Sequence, residues 1–190
     1  MLREIAGATI IDADCVTHQV LEQDDVRGRV LAAFGPGVLT AEGHIDRASL
    51  GRMVFADPAD LSRLETIVHP AVRRAVRAEL GTVPAAGTAV IDAVKLLDGD
   101  LGSLADGVWW VTATPEQQIA RLVTSRGLSE NQARARLAAQ PRLERYRDRI
   151  HAIIDNSGHV AETRIQVVRA LGVLRANPSP QARPIAGSEK

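Results

Sequence analysis

Residues 9–18 read TIIDADCVTH, a short apolar run that stops at two acids, Asp12 and Asp14, with one alanine between them. In a continuous strand, residues two apart share a face. If a helix begins between the acids, the second carboxylate falls in its first turn. One acid is then a natural cap for that helix, and the other is left for chemistry. A carboxylate just past the carboxyl end of a parallel strand stands where open α/β sheets place their ligands. There it can orient a metal or take a proton from a hydroxyl.

Three further runs resemble the one at residues 8–11: residues 88–91 (TAVI), 108–112 (VWWVT) and 152–154 (AII). Each is nearly continuous in apolar residues, the pattern of strands covered on both faces. Between them, apolar residues recur at spacings of three and four over residues 13–23 and 25–34, and Gly35, Pro36 and Gly37 stop the second helix. Asp57 and Pro58 open a helix through residue 68. His69 before Pro70 marks a break, because the residue before a proline is disfavoured in the helical region, and a further helix follows. Pro115 opens a helix to about residue 126, Ser129 and Gln132 form a capping box for one through residue 140, and Pro141 breaks and restarts the chain. The last helix covers about residues 160–175. Residues 176–190, proline-rich with little to bury, read as a disordered tail.

Composition narrows the class. A chain of 190 residues, 45% of them hydrophobic, buries one good core, so a single domain over residues 1–175 is expected. Aromatic residues are only 3% of the chain, which leaves Ala, Val, Leu and Ile to build helices packed on a parallel sheet. The 23 basic residues balance 23 acidic ones, which argues against nucleic acid or an anionic membrane as a partner. The lone Cys15 permits no internal disulfide and points to a reducing cytoplasm. Beside an aspartate, it reads as a buried structural thiol. No apolar run reaches membrane-spanning length.

Of the 23 basic residues, Lys95 and Lys190 are the only lysines, leaving 21 arginines. Eight of these, from Arg121 through Arg126, Arg134 and Arg136 to Arg149, crowd three consecutive helical stretches. Guanidinium groups donate bidentate bonds suited to phosphate oxygens, although most such arginines on helices serve a solvated face with partners such as Glu130 and Glu144. IIDNSG at residues 153–158 ends a strand in a turn by default, and the same backbone can hydrogen-bond a flat base. His69 fits a hinge and a ligand contact equally well.

Taken in order, IIDAD, FGPGVLTAEGHIDRASLGRMVFADP, IVHPAVR, TPEQQIARLV, RGLSENQARARLAAQ and IIDNSG resemble the dephospho-coenzyme A kinase family over residues 5–173. The resemblance implies an α/β fold, a three-layer P-loop kinase-like parallel sheet with a helical substrate subdomain over about residues 13–80 and a lid over about 121–149. It implies ATP with Mg2+, and phosphoryl transfer to the ribose 3′-hydroxyl of dephospho-coenzyme A, the last step of coenzyme A synthesis. Asp14 then matches the family's base and Arg121 an arginine facing the phosphates. Asp12, His69, Pro70 and Arg73 fall to the acceptor substrate. Arg126 and Arg136 fall to the lid, and Asn156 with Gly158 to the segment beside adenine.

The chain departs from the family pattern where His18 and Ser125 replace arginines, Arg126 standing one position beyond, and where residues 94–98 read VKLLD. No Gly-Lys pair occurs in the 190 residues, so the phosphate loop is not among them. Met1 aligns with the helix that follows that loop. The expectation is therefore that the first, central strand of the sheet is missing and that the product begins roughly twenty residues upstream, with activity impaired as written. The strands at residues 88 and 108 would then either pair directly or leave a gap. Two other readings are a non-catalytic relative that binds the coenzyme A precursor and another small P-loop kinase acting on a nucleoside or sugar.

Overall fold

The computed structural model describes residues 1–177. In chain order it contains α1 (Leu2–Ala6), β1 (Thr9–Asp12), α2 (Ala13–Leu21), α3 (Asp24–Phe34), α4 (Arg47–Ala56), α5 (Pro58–Gly81) and β2 (Ala89–Asp92). There follow β3 (Trp109–Thr112), α6 (Pro115–Arg126), α7 (Glu130–Ala138), α8 (Leu143–Tyr146), β4 (Ala152–Asp155) and α9 (Val160–Ala176). The four strands lie within one residue of the four apolar runs. They form two parallel pairs, β1 with β2 and β3 with β4, and neither pair has a third strand among the described residues. By internal contact the chain divides into two compact units, Thr9–Ala93 and Met1–Ala8 with Val94 onward.

In the unit Thr9–Ala93, α2, α3 and α4 all pack on α5. Their buried residues recur at helical spacing: Val16 and Val20 on α2, Val26 and Val30 on α3, Leu50 and Val54 on α4. The helix α4 escapes the periodicity argument, yet a start signal is present in Asp46, whose Oδ1 accepts from the N–H groups of Ala48 and Ser49 at 3.0 and 3.1 Å.

The break expected at His69 and Pro70 is absent: α5 runs unbroken from Pro58 to Gly81. A proline inside a helix removes one donor, here the one that would serve the carbonyl of Thr66. Both Thr66 and Pro70 are exposed, so water can take up that carbonyl. The buried stripe Ile67, Val68, Ala71, Val72 and Val76 passes across the proline, and its burial favours one continuous helix.

In the second unit Leu97, Val108 and Tyr146 form one buried apolar cluster, with Leu96, Trp110 and Ile150 packed against it. The strands here are not covered on both faces as their composition suggests: Val111 is 62% exposed and Ile153 43%. Each strand of this pair is hydrogen-bonded on one side only, which leaves apolar positions of a buried-type strand uncovered. The capping box opening α7 forms as expected, with Ser129 N donating to Gln132 Oε1 at 2.9 Å and Gln132 N to Ser129 Oγ at 3.3 Å. The helix resumes after Pro141 as the single turn α8. The tail expected from residue 176 lies, beyond Asn177, outside the described residues.

Candidate active site

The two acids of the opening stretch separate as a cap and a free carboxylate. Asp12 ends β1 in an extended conformation, and its Oδ1 accepts from the backbone N–H groups of Asp14 at 2.9 Å and Cys15 at 3.0 Å. The Cys15 N–H chiefly holds the Asp12 carboxyl below its ordinary range, so Asp12 is a fixed anion at the head of α2. Asp14, in the first turn, is exposed, and its carboxylate has no hydrogen-bond or ion-pair partner among the described residues.

Cys15 is exposed rather than buried, because the apolar stripe of α2 runs through Ala13, Val16, Val20 and Leu21 and leaves position 15 on the solvent side. Its hydrogen bond with Asp12 pushes the thiol up, away from the reactive thiolate form.

A third carboxylate joins this edge. Asp92 ends β2 in register with Asp12, is exposed, and has no partner among the described residues. The sequence carried the signal: AVID repeats the pattern of TIID, an apolar run closed by an aspartate. Neighbouring strands lie about 4.8 Å apart, so two strand-end carboxylates stand side by side at the carboxyl edge of this pair. In the same unit His69 is exposed on α5, and Arg73, four residues on, is half-buried.

At the carboxyl edge of the other pair, the loop after β4 is tied to α6. Thr114 N donates to Ser157 Oγ at 3.1 Å, Gln117 Nε2 to the Ser157 carbonyl at 2.7 Å, and Arg121 Nη2 to the Asn156 carbonyl at 3.0 Å. Arg121 and Asn156, assigned separate roles from sequence, are thus in direct contact. Gln117 and Ser157 were not foreseen, since nothing in a linear pattern shows that residues 40 apart meet. Asn156 N donates to the Thr112 carbonyl at 2.7 Å, and Asn156 Oδ1 accepts from Thr163 Oγ1 at 3.2 Å.

At Gly158 an added Cβ would meet Glu162 Oε2 and push that carboxylate aside. That oxygen accepts from His159 N at 3.0 Å and closes the cap of α9. Arg126, in the last turn of α6, and Arg136, on α7, are exposed and without partners among the described residues, whereas Arg134 pairs with Glu130 at 2.5 Å. Of the acidic partners expected on a solvated helix face, Glu130 is thus found, paired with Arg134.

No helix of the described residues is long and apolar enough to cross a membrane. The family model for dephospho-CoA kinase matches residues 1–162. A dephospho-CoA kinase of Symbiobacterium thermophilum is 42% identical over 173 residues, 90% of this chain and 72% of that protein. One of Geobacillus kaustophilus is 39% identical over 174 residues, covering 90% of this chain and 86% of its own. Among solved structures, TT1252 from Thermus thermophilus superposes with a TM-score of 0.78 at 28% identity, over 90% of this chain and 86% of that one. With an α/β P-loop kinase-like fold and matches that span most of its length, the chain belongs to the dephospho-CoA kinase family.

Proposed function

We propose that the protein transfers the γ-phosphoryl group of ATP to the ribose 3′-hydroxyl of dephospho-coenzyme A, with Asp14 as the base. One observation carries this assignment: β1 delivers two carboxylates to the start of α2, and folding spends only Asp12. Asp14 keeps its lone pairs for a substrate hydroxyl. In the transfer that hydroxyl oxygen bonds to the γ-phosphorus, the bond between the γ-phosphorus and the β,γ-bridging oxygen breaks, ADP leaves, and the hydroxyl proton passes to Asp14. Phosphoryl transfer asks a protein chiefly to position its reactants and to balance charge.

Arg121 supports the donor side. A guanidinium carries five N–H donors, and the Asn156 carbonyl takes one of them here. The others are available to phosphate oxygens. We assign the loop bearing Asn156 and Gly158 to adenine, and the exposed Arg126 and Arg136 to closure over the nucleotide. His69, Pro70, Arg73 and the edge at Asp12 belong to the acceptor.

Mg2+ binds proteins through one or two carboxylates and completes its shell with substrate phosphates. Asp92 suits that role, and no group of three or more metal-ligating side chains is present among the described residues. Bound there, the ion would neutralise charge on the β- and γ-phosphates. The 190 residues contain no Gly-Lys pair, so they do not themselves supply a phosphate loop, and we expect slow turnover from them alone. The lone Cys15 fits a cytoplasmic setting.

The test is product analysis. ATP and dephospho-coenzyme A, alongside a panel of nucleosides and sugars, should give phosphate on the ribose 3′-oxygen of dephospho-coenzyme A only. Preferred phosphorylation of a nucleoside or sugar would overturn the assignment in favour of another small kinase.

A further inference from the structure

The polar groups of the loop after β4 can be accounted for one by one. Asn156 N is spent on the Thr112 carbonyl, Ser157 N on Asp155 Oδ1 and His159 N on Glu162 Oε2. The carbonyls of Asn156 and Ser157 are taken by Arg121 and Gln117. Among the described residues this leaves the Gly158 N–H and the Asn156 side-chain amide as donors without partners. The Asn156 and Ser157 carbonyls are thus consumed by two residues one helical turn apart, next to two donors that stay unspent. A purine ring nitrogen accepts from such donors.

Gln117 is a costly choice for mere packing. Its Oε1 is buried and finds no donor among the described residues, although its Nε2 is bonded. An unpaired buried acceptor destabilises the fold, and an apolar side chain of the same length would avoid that penalty. What the amide supplies in return is the bond that its Nε2 makes to the Ser157 carbonyl.

We infer that Gln117 is a positioning residue of the nucleotide site: by holding the Ser157 carbonyl to α6, it presents the Gly158 N–H and the Asn156 amide to the ring nitrogens of an adenine. This rests on the assignment of residues 156–158 to the base. Arg121 holds the neighbouring carbonyl and also faces phosphate, so Gln117 is the member of the pair whose work is confined to the loop.

Adenosine, which has no phosphate, is the probe that isolates this effect. In the 190-residue chain, 15N-resolved NMR should show saturable shifts of the Gly158 amide and the Asn156 side-chain amide on titration with adenosine. Gln117→Met should weaken that binding about tenfold and leave the melting temperature within about 3 °C. Gln117→Lys, which restores a donor of similar reach, should recover most of the affinity. Equal adenosine binding by wild type and Gln117→Met would overturn the role of Gln117 while leaving the loop as the base site. So would a Lys variant as weak as the Met variant. Absence of any adenosine-dependent shift at Asn156 and Gly158 in the wild type would overturn both the inference and the assignment on which it rests.

Discussion

The two units solve the problem of holding chemistry in place differently. All six of the largest fully buried side chains among the described residues lie in Thr9–Ala93: Ile11 on β1, Val20 on α2, Val26 and Val30 on α3, Val76 on α5, and Val38. In the other unit Leu97, Val108 and Tyr146 form a cluster with Leu96, Trp110 and Ile150, and two side chains of α6, those of Gln117 and Arg121, bind the loop after β4 through hydrogen bonds. The first arrangement fixes the backbone by apolar burial and leaves Asp14 and Asp92 unspent. The second uses up nearly every polar group of the loop to shape it. A catalytic base needs an unspent group on a rigid support, whereas a binding edge needs its surplus polar groups consumed.

The sharpest way to break this contrast is Asp14→Asn. It should slow phosphoryl transfer by about two to four powers of ten while changing calorimetric affinity for dephospho-coenzyme A by less than about threefold. An unchanged rate would remove Asp14 from the base role. Next, Ile11→Ala in β1 should cost about 2–5 kcal/mol, read by urea unfolding, because Ile11 is fully buried. Val111→Ala at the exposed centre of β3 should cost less than about 1 kcal/mol. Equal costs at the two strands would erase the difference between the units.

A smaller effect is expected at Gly158→Ala. The new methyl group must displace Glu162 Oε2 from His159 N, so α9 loses half of its cap, about 1 kcal/mol in thermal unfolding. Smallest is the acid limb. Asp12 is held below the ordinary aspartate value of 3.8 chiefly by the Cys15 N–H, Asp46 by the Ser49 hydroxyl and Asp155 by that of Ser157. A depressed carboxyl contributes stability that is complete above the unfolded value and is lost as pH falls through the folded one. Helical circular dichroism should therefore hold steady from neutrality to about pH 5 and decline below 3.8 as these caps protonate. Asp12→Asn, which caps without titrating, should flatten that limb.

How far the sequence reached varies along the chain in a regular way. Strand positions were legible because each run is short, apolar and closed by a polar residue, and that one of the two acids caps a helix follows from a helix starting between them, whereas which acid does so is seen only in the fold. Pro70 misleads because local backbone preference takes no account of the buried stripe that continues past it, a tertiary gain that outweighs one lost hydrogen bond. Cys15 misleads because an aspartate beside it argues for an unreactive thiol without fixing its depth, while the phase of α2 turns position 15 to solvent. The contacts of Gln117 and Arg121 with residues 156 and 157 depend on two distant segments meeting, so only the folded chain displays them.

Calorimetric titration of the 190-residue polypeptide with dephospho-coenzyme A and with ATP, each alone, tests the central claim most directly. The free acid on a firmly packed support, together with the absence of any Gly-Lys pair, predicts saturable binding of dephospho-coenzyme A and ATP binding at least about tenfold weaker. Tight ATP binding with no detectable affinity for dephospho-coenzyme A would contradict it.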